Sequence, residues 1–134
     1  MKKKQQNKII GDLGERIVCN FLERKGFSIL ERNYTTSYAE IDVIAQKRDI
    51  VHFIEVKTVS HETKQDLRHA VARATWRPEE QVHAHKKIKI SLGVESWLQK
   101  EQYGGVWQID VAAVRVVPRE TYATVKMIEN VVFD

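Results

Sequence analysis

One cysteine, Cys19, is present among the 134 residues. A single thiol cannot close an internal disulfide or supply a multi-cysteine zinc site. Because Cys19 falls within a predicted helix, we expect a buried and unreactive side chain. Long apolar runs are missing as well: no stretch reaches about 18 apolar residues, and no apolar signal-peptide core follows the basic N-terminus. We therefore expect a cytoplasmic protein without a membrane segment.

The composition is that of an ordinary globular protein. Hydrophobic residues make up 43% of the chain and charged residues 30%, so wholesale disorder is not expected. The length suits one domain. We expect that domain at residues 10–134, after a basic, solvated tail at residues 1–9. The net charge of +4 is compatible with a polyanionic partner but does not require one.

Two predicted strands near the middle of the chain carry charged residues among apolar ones. They cover Ala39–Ala45 and Val51–Val59 and are joined by a short charged turn. Side chains alternate along a strand, so three carboxylates and one ammonium converge if the charged sides of the two strands coincide. These side chains are Glu40 and Asp42 on the first strand and Glu55 and Lys57 on the second.

Such a cluster has two interpretations. Ionisable groups within apolar strands are costly unless they are paired or bind a metal, and a group rich in carboxylate oxygens suits Mg²⁺ or Mn²⁺. The alternative is an ion-pair cluster at a sheet edge, because an exposed strand often produces Glu-x-Lys alone. Glu-x-Asp followed by Glu-x-Lys on adjacent strands favours the metal site.

The spacing of these charges resembles the core motif of the PD-(D/E)XK nuclease superfamily, with thirteen positions from Asp42 to Glu55. The surrounding sequence closely resembles the YraN family, small bacterial proteins of endonuclease-like fold. One departure is Ala39, where that family usually has glycine. The segments that carry the resemblance are Gly14-Glu15, Arg32-Asn33-Tyr34, Glu40 to Ala45 and Phe53 to Thr58, with Pro78, Glu80, Val82 and Lys86 at the spacing of the second-helix pattern.

The resemblance implies a role for each charged residue. Asp42 and Glu55 would be the primary metal ligands, and the backbone carbonyl of Val56 would supply another oxygen. Either Glu15 or Glu40 would complete the site directly or through water. The ammonium of Lys57 would orient the attacking water or stabilise the pentavalent phosphorus oxygens.

Glu15 lies on a predicted first helix that runs from about Ile10 to Lys25 and ends before Gly26. It falls at the edge of the apolar stripe of that helix. A surface charge is the ordinary interpretation of such a position. In the PD-(D/E)XK fold the first helix often supplies a further metal-site carboxylate, and Glu15 matches that position.

The remaining elements give the order α-β-β-β-α-β-β, a mixed sheet with flanking helices. This order agrees with the restriction-endonuclease-like α/β fold that the resemblance implies. We expect Asp110 to be structural, and we expect Ala84, Ile88, Leu92, Trp97 and Leu98 to face the core from the second helix. The further predicted elements are strands at Phe27–Tyr34, Val106–Val117 and Thr124–Phe133 and a helix from Pro78 to about Leu98.

Basic residues cluster in the segment from Ser60 to Arg77, where Gln65–Thr75 could form a short helix with a basic face. The two interpretations are a solvated surface excursion and an arm that orders against a phosphate backbone. Lys86 and Lys89 lie one turn apart on the next helix and could hold a phosphate beside a metal site. The predicted nucleic-acid-binding residues are Arg68, Arg73, Trp76, Arg77, Lys86 and Lys89.

The resulting hypothesis is a metal-dependent endonuclease that acts on DNA. Branched DNA is the first substrate to test, by analogy with resolvases of similar fold, which are usually dimers. A homodimer is therefore plausible, although the sequence shows no clear dimer face. The alternative is a non-catalytic module that binds nucleic acid or recruits a partner on the same fold. No residue excludes RNA as the substrate.

Overall fold

The computed structural model describes residues 3–73 and 76–132. The expectations that involve Met1, Lys2, Ala74, Thr75 and Phe133 lie outside these residues. The elements, in chain order, are α1 (Lys3–Arg24), β1 (Ser28–Thr35), β2 (Glu40–Lys47), β3 (Ile50–Ser60), α2 (Lys64–Arg73), a 3₁₀ turn (Pro78–Gln81), α3 (Ala84–Lys100), β4 (Val106–Val117), a second 3₁₀ turn (Pro118–Glu120) and β5 (Tyr122–Ile128).

The five strands form one mixed sheet in the order β1-β2-β3-β4-β5. Neighbouring strands are antiparallel except β3 and β4, which are parallel. A parallel pair needs a long crossover, and α2, the first 3₁₀ turn and α3 provide it. The predicted α/β class and the order α-β-β-β-α-β-β are confirmed, with the short helix α2 as an addition.

Helices cover the two faces of the sheet with separate cores. On one face α1 packs against a core that includes Val18, Leu22, Val43, Ile54 and Ala112. On the other face α3 packs against a core formed by Ile44, Phe53, Val94, Trp97 and Val111 among others. Among the described residues no helix is long and apolar enough to cross a membrane.

Helix α1 begins earlier than the sequence predicted. Its first residue is Lys3 rather than Ile10, so residues 3–9 are exposed and helical instead of a frayed tail. This segment contains no proline or glycine that would stop a helix from extending. The predicted end is confirmed: Gly26 has φ +92°, and the Phe27 N–H donates to the Leu22 carbonyl at 2.9 Å.

The second predicted helix was wrong in its start and in part of its buried face. Pro78 begins only a 3₁₀ turn, and the chain is extended at Val82 and His83 before α3 begins at Ala84. Ile88 and Leu92 are 58% and 36% exposed, and Ala84 is exposed too, because α3 buries Ile90, Gly93 and Val94 instead. The predicted core positions Trp97 and Leu98 are confirmed: Trp97 is buried, and Leu98 is partly buried against the same core.

Asp110 lies on β4 and is bonded to the chain that follows β5. Strand β4 has the predicted bounds, whereas β5 ends at Ile128, earlier than predicted. After β5 the chain turns at Asn130, which has φ +54°. The Asn130 N–H donates to Asp110 Oδ1 at 2.9 Å, and this contact holds the end of β5 against β4.

Candidate active site

The carboxylates of β2 and β3 converge where these two strands stop pairing. Regular pairing ends at Val43 and Ile54. Beyond this pair, the Val56 N–H donates a hydrogen bond to Asp42 Oδ2 at 2.8 Å. The Asp42 side chain therefore takes the place of a backbone carbonyl as the acceptor. Asp42 and Glu55 are both buried, with 9% and 6% of their surface exposed. The predicted convergence of the two strands is therefore seen at Asp42 and Glu55.

Burial and the neighbouring carboxylate keep a proton on Glu55. Burial is the largest cause and, with the hydrogen bond to Asp42 and the negative charge of Asp42, it raises the pKa of Glu55 to about 9. The positive charges of Lys86 and Lys57 oppose this shift. Without a cation, the protonated Glu55 carboxyl donates to the Asp42 carboxylate near neutral pH.

Glu15 extends from α1 toward the same carboxylates. Its Oε1 atom is buried and has no hydrogen-bond partner among the described residues. Burial, followed by the charge of Asp42, raises the pKa of Glu15 to about 7, and the charge of Arg32 opposes the shift. Buried carboxylate oxygens are nearly always paired, and this oxygen can accept a bound cation or a water molecule. Glu15 lies on the inner side of the helix, as the resemblance implied.

Lys86 reaches the cluster from α3. Its Nζ atom lies 3.6 Å from Glu55 Oε2 and 3.8 Å from Glu40 Oε2. Burial lowers the pKa of the ammonium, but the charges of Glu55, Asp42 and Glu40 outweigh it and the pKa is raised. Lys86 pairs with these carboxylates here, and its predicted contact with a phosphate stays a prediction. Lys89, also on α3, is half-buried and makes no ion pair with the described residues.

Lys57 lies two positions after Glu55 on the same face of β3 and is half-buried. Its positive charge acts on Glu55. The ammonium makes no hydrogen bond or ion pair within the described part of the chain, so it is available to an added ligand. The Val56 N–H is taken by Asp42, and the role of the Val56 carbonyl as a metal ligand stays a prediction.

The donor set fits a hard divalent cation. The cluster contains four carboxyl groups, from Glu15, Glu40, Asp42 and Glu55, and they outnumber the three positive side chains that act on them, Lys57, Lys86 and Arg32. Its possible side-chain ligands are all oxygens, and one of these is an unpartnered buried atom. Oxygen ligands of this kind suit Mg²⁺ or Mn²⁺ better than softer metals.

A second group of residues could also hold a metal ion. Among residues 3–73 and 76–132, His52, Asp110 and Glu129 form the one group of three whose ligand atoms all lie within 4.8 Å of one another, so the carboxylates of Glu15, Asp42 and Glu55 are spaced more widely than this. Asp110 is already well satisfied: Oδ2 lies 2.6 Å from His52 Nδ1, and Oδ1 accepts from Gln108 Nε2 at 2.8 Å and from the Asn130 N–H. These bonds agree with the structural role predicted for Asp110. No sequence pattern predicted this group, because only the strand register brings its residues together.

The predicted nucleic-acid-binding residues lie in three places. Lys86 lies in the carboxylate cluster, and Lys89 is half-buried one turn further along α3. Arg68 and Arg73 are exposed on α2. Trp76 and Arg77 line a groove of about 330 Å³ beside β4 and β5.

Arg115 was missed by the sequence analysis. Its guanidinium carbon lies 4.6 Å from the centre of the Trp76 ring, and its Nη1 lies 3.1 Å from His61 Nε2. Burial and the charge of Arg115 lower the pKa of His61, so the neutral imidazole accepts this hydrogen bond. Arg115 is the only charged residue between Val111 and Val117, and that isolation was the available signal.

The element order and the mixed sheet are those of a restriction-endonuclease-like α/β protein. The model of the uncharacterised protein family UPF0102, the YraN family, matches residues 14–114. The chain belongs to this family, which confirms the resemblance seen in the sequence.

Several curated UPF0102 proteins are similar to this chain. One from Campylobacter jejuni is 33% identical over 105 residues, which cover 78% of the chain and 82% of that relative. One from Dictyoglomus turgidum is 58% identical over 52 residues, 39% of the chain and 44% of that protein. One from Alkaliphilus metalliredigens is 52% identical over 52 residues, 39% of the chain and 46% of that protein. The chain thus aligns with less than half of the Dictyoglomus and Alkaliphilus proteins.

Proposed function

We propose that this protein is a metal-dependent nuclease that hydrolyses phosphodiester bonds, with DNA as its substrate. One observation carries the proposal: Glu15 Oε1 is buried without a partner beside Asp42 and Glu55, two buried carboxyl groups that share a proton. Three carboxyl groups from three separate elements destabilise the metal-free fold. A divalent cation would relieve that cost.

Asp42 and Glu55 would hold Mg²⁺ or Mn²⁺, and Glu15, Glu40 and the Val56 carbonyl would complete its ligands. When bound, the cation supplies a nucleophilic water near neutral pH and compensates the charge that develops on the phosphorus oxygens. The hydrogen bond from the Val56 N–H holds Asp42 in place. It leaves Asp42 Oδ1 available for coordination.

Lys57 and Lys86 have different tasks in this proposal. The ammonium of Lys57 is unpaired within the described part of the chain, so it can orient the attacking water or donate to a phosphate oxygen. Lys86 is paired with Glu40 and Glu55. It compensates the charge of the carboxylates and positions Glu55, while a phosphate drawn to the cation would compete for the same ammonium.

A second candidate function is a nucleic-acid-binding module without catalysis. The observation that favours it is the position of Lys86, because an internal ammonium already balances part of the carboxylate charge. In that case the basic side chains would bind phosphates, and loss of Asp42 would leave function intact. Salt dependence does not separate the two candidates, because both involve phosphate contacts.

The proposal is tested by cleavage of end-labelled single-stranded, duplex, flapped and four-way-junction DNA with Mg²⁺, Mn²⁺ or chelator. We expect cleavage only with a divalent cation. Asp42→Asn removes a ligand charge, and Lys57→Ala removes the free ammonium, so each should slow cleavage by roughly 100-fold or more. Matched controls are Asp49→Asn, an exposed carboxylate in the turn between β2 and β3, and Lys100→Ala, an exposed lysine of α3.

Cleavage that persists in chelator, or that is equally fast in Asp42→Asn, would overturn the proposed hydrolysis. Binding of all four substrates without cutting, unchanged in both variants, would favour the module without catalysis. The four substrates also rank branched against linear DNA in the same experiment.

A further inference from the structure

A basic groove lies beside β4 and β5, on the face of the sheet that α3 also covers. Its floor is formed by side chains of β4 and β5, and its wall by α2 and the first 3₁₀ turn. Three cations face one carboxylate along it. The residues that define this basic groove are Trp76, Arg77, Glu79, Ala113, Arg115 and Lys126.

The groove is related to Lys57 by the strand register. Lys57 pairs with Ala113 on β4, a buried residue that lines the groove, and Ala113 pairs with Lys126 on β5. Paired positions of neighbouring strands point to the same face of a sheet, so these three residues form one row. Strands lie roughly 5 Å apart, so Lys57 and Lys126 are separated by roughly 10 Å. This separation is short enough for one strand of nucleic acid to reach both lysines.

The indole ring of Trp76 and the guanidinium plane of Arg115 are flat surfaces in the groove. Arg115 stacks on Trp76 at 4.6 Å, and Trp76 Nε1 donates to Gln81 Oε1 at 2.9 Å, so the indole ring is held on two sides. Trp76 is still half-exposed. Aromatic rings and guanidinium planes are the surfaces on which unpaired bases stack.

The volume and the net charge of the groove indicate which ligand it would bind. The volume of about 330 Å³ is at the small end of ligand sites, which suits one nucleotide and is too small for a duplex. Arg77, Arg115 and Lys126 against Glu79 give an excess of two positive charges, which suits a phosphodiester backbone.

We infer that the basic groove binds an unpaired nucleotide of the strand whose phosphodiester lies at Lys57. The inference rests on the proposed function for the location of the scissile phosphate, and it adds the substrate class: a single strand, or the unpaired arm of a branched DNA. Arg115 and Lys126 contact its phosphates, and Trp76 stacks on its base.

The test is fluorescence anisotropy with a labelled oligothymidylate and a blunt hairpin duplex, both in EDTA so that no turnover occurs. We expect the wild type to prefer the oligothymidylate. Trp76→Ala should weaken its binding by roughly 5- to 100-fold, the range for loss of one stacked base. Lys126→Gln should weaken it too and reduce the salt slope by about 0.7, the value for one phosphate of a single strand. Lys100→Gln, a lysine at the end of α3, is the matched control and should bind normally.

Equal binding by wild type, Trp76→Ala and Lys126→Gln would overturn the inference, as would a wild-type preference for the hairpin. Lys126→Gln keeps the test decisive if Trp76→Ala unfolds, because Lys126 is an exposed edge-strand residue. Oligothymidylate binding that depends on the groove, in a protein that never cuts DNA with Mg²⁺ or Mn²⁺, would support the groove and contradict the proposed hydrolysis. Metal-dependent cleavage with unchanged oligothymidylate binding in both variants would support the proposed hydrolysis and contradict the role of the groove.

Discussion

At the scale of single residues, the site is a set of carboxyl groups placed where they cannot all ionise. Asp42 and Glu55 are buried and in hydrogen-bond contact, and Glu15 has an oxygen without a partner. Such an arrangement lowers the stability of the metal-free protein. Active sites commonly carry this cost, because groups arranged for a ligand are poorly satisfied without it.

The pH dependence of stability should reveal this cost. The pKa of Glu55 is raised by burial from 4.5 to about 9, so the folded protein keeps a proton that the unfolded chain releases across this window. The metal-free fold should therefore lose stability as the pH rises from about 5.5 to about 8. Glu55→Gln keeps a donor toward Asp42 without the titration, and its melting temperature should fall less over the same range. One kcal/mol corresponds to about 3–6 °C for a domain of this size.

Thermal unfolding in EDTA at several pH values measures this effect. Glu62→Gln is the matched control, since Glu62 is an exposed carboxylate paired only with Arg119 among the described residues. The control should follow the wild type. A Glu55→Gln protein with the same pH slope as the wild type would contradict the protonated state assigned to Glu55.

At the scale of elements, the position of Glu15 depends on how closely α1 approaches β3. A Cβ atom added at Gly14 would lie in severe overlap with Thr58 Oγ1, whereas one added at Gly11 would meet nothing within 4 Å. Both glycines are in the same helix, so they have the same backbone preference but different surroundings. The close approach at Gly14 places the next residue, Glu15, over the end of β2 and β3.

This difference gives a matched pair of substitutions. Gly14→Ala should destabilise the fold by about 1–3 kcal/mol, the usual cost of overpacking. Gly11→Ala should be neutral or stabilise the fold by about 0.4–1 kcal/mol through the unfolded state. Urea unfolding measures both. If the two variants changed stability equally, the contact of Gly14 with Thr58 would not be what sets the position of α1.

The elements also show what the sequence could predict. The strands β2, β3 and β4 and the C-terminal end of α1 followed from apolar alternation and a helix-ending glycine, which are local signals. The buried face of α3 followed only in part, because Ile88 and Ile90 are both apolar and helical spacing does not distinguish which of them faces the sheet. The early start of α1 was missed because a polar helical turn without apolar spacing looks the same as a solvated tail.

At the scale of the whole molecule, contacts between residues close together in the sequence could be predicted, whereas contacts between distant residues could not. Asp42 and Glu55 could be paired from the sequence because they lie on consecutive strands joined by a short turn. Two other sets of residues depend on the parallel pairing of β3 with β4. One is the group of His52, Asp110 and Glu129, and the other is the row from Lys57 to Lys126. That pairing follows a crossover of more than forty residues, from Ser60 to Val106, and no local pattern fixes its register.

The described residues therefore offer two places for a cation, and the central claim is that Asp42 and Glu55 hold it. The most direct measurement is Mn²⁺ binding followed by electron paramagnetic resonance in wild type, Asp42→Asn and Glu129→Gln. Glu129 is the exposed member of the second group. We predict that Asp42→Asn weakens Mn²⁺ binding by roughly tenfold or more, while Glu129→Gln binds like the wild type. Loss of binding in Glu129→Gln with normal binding in Asp42→Asn would contradict the account and assign the cation to the group around His52.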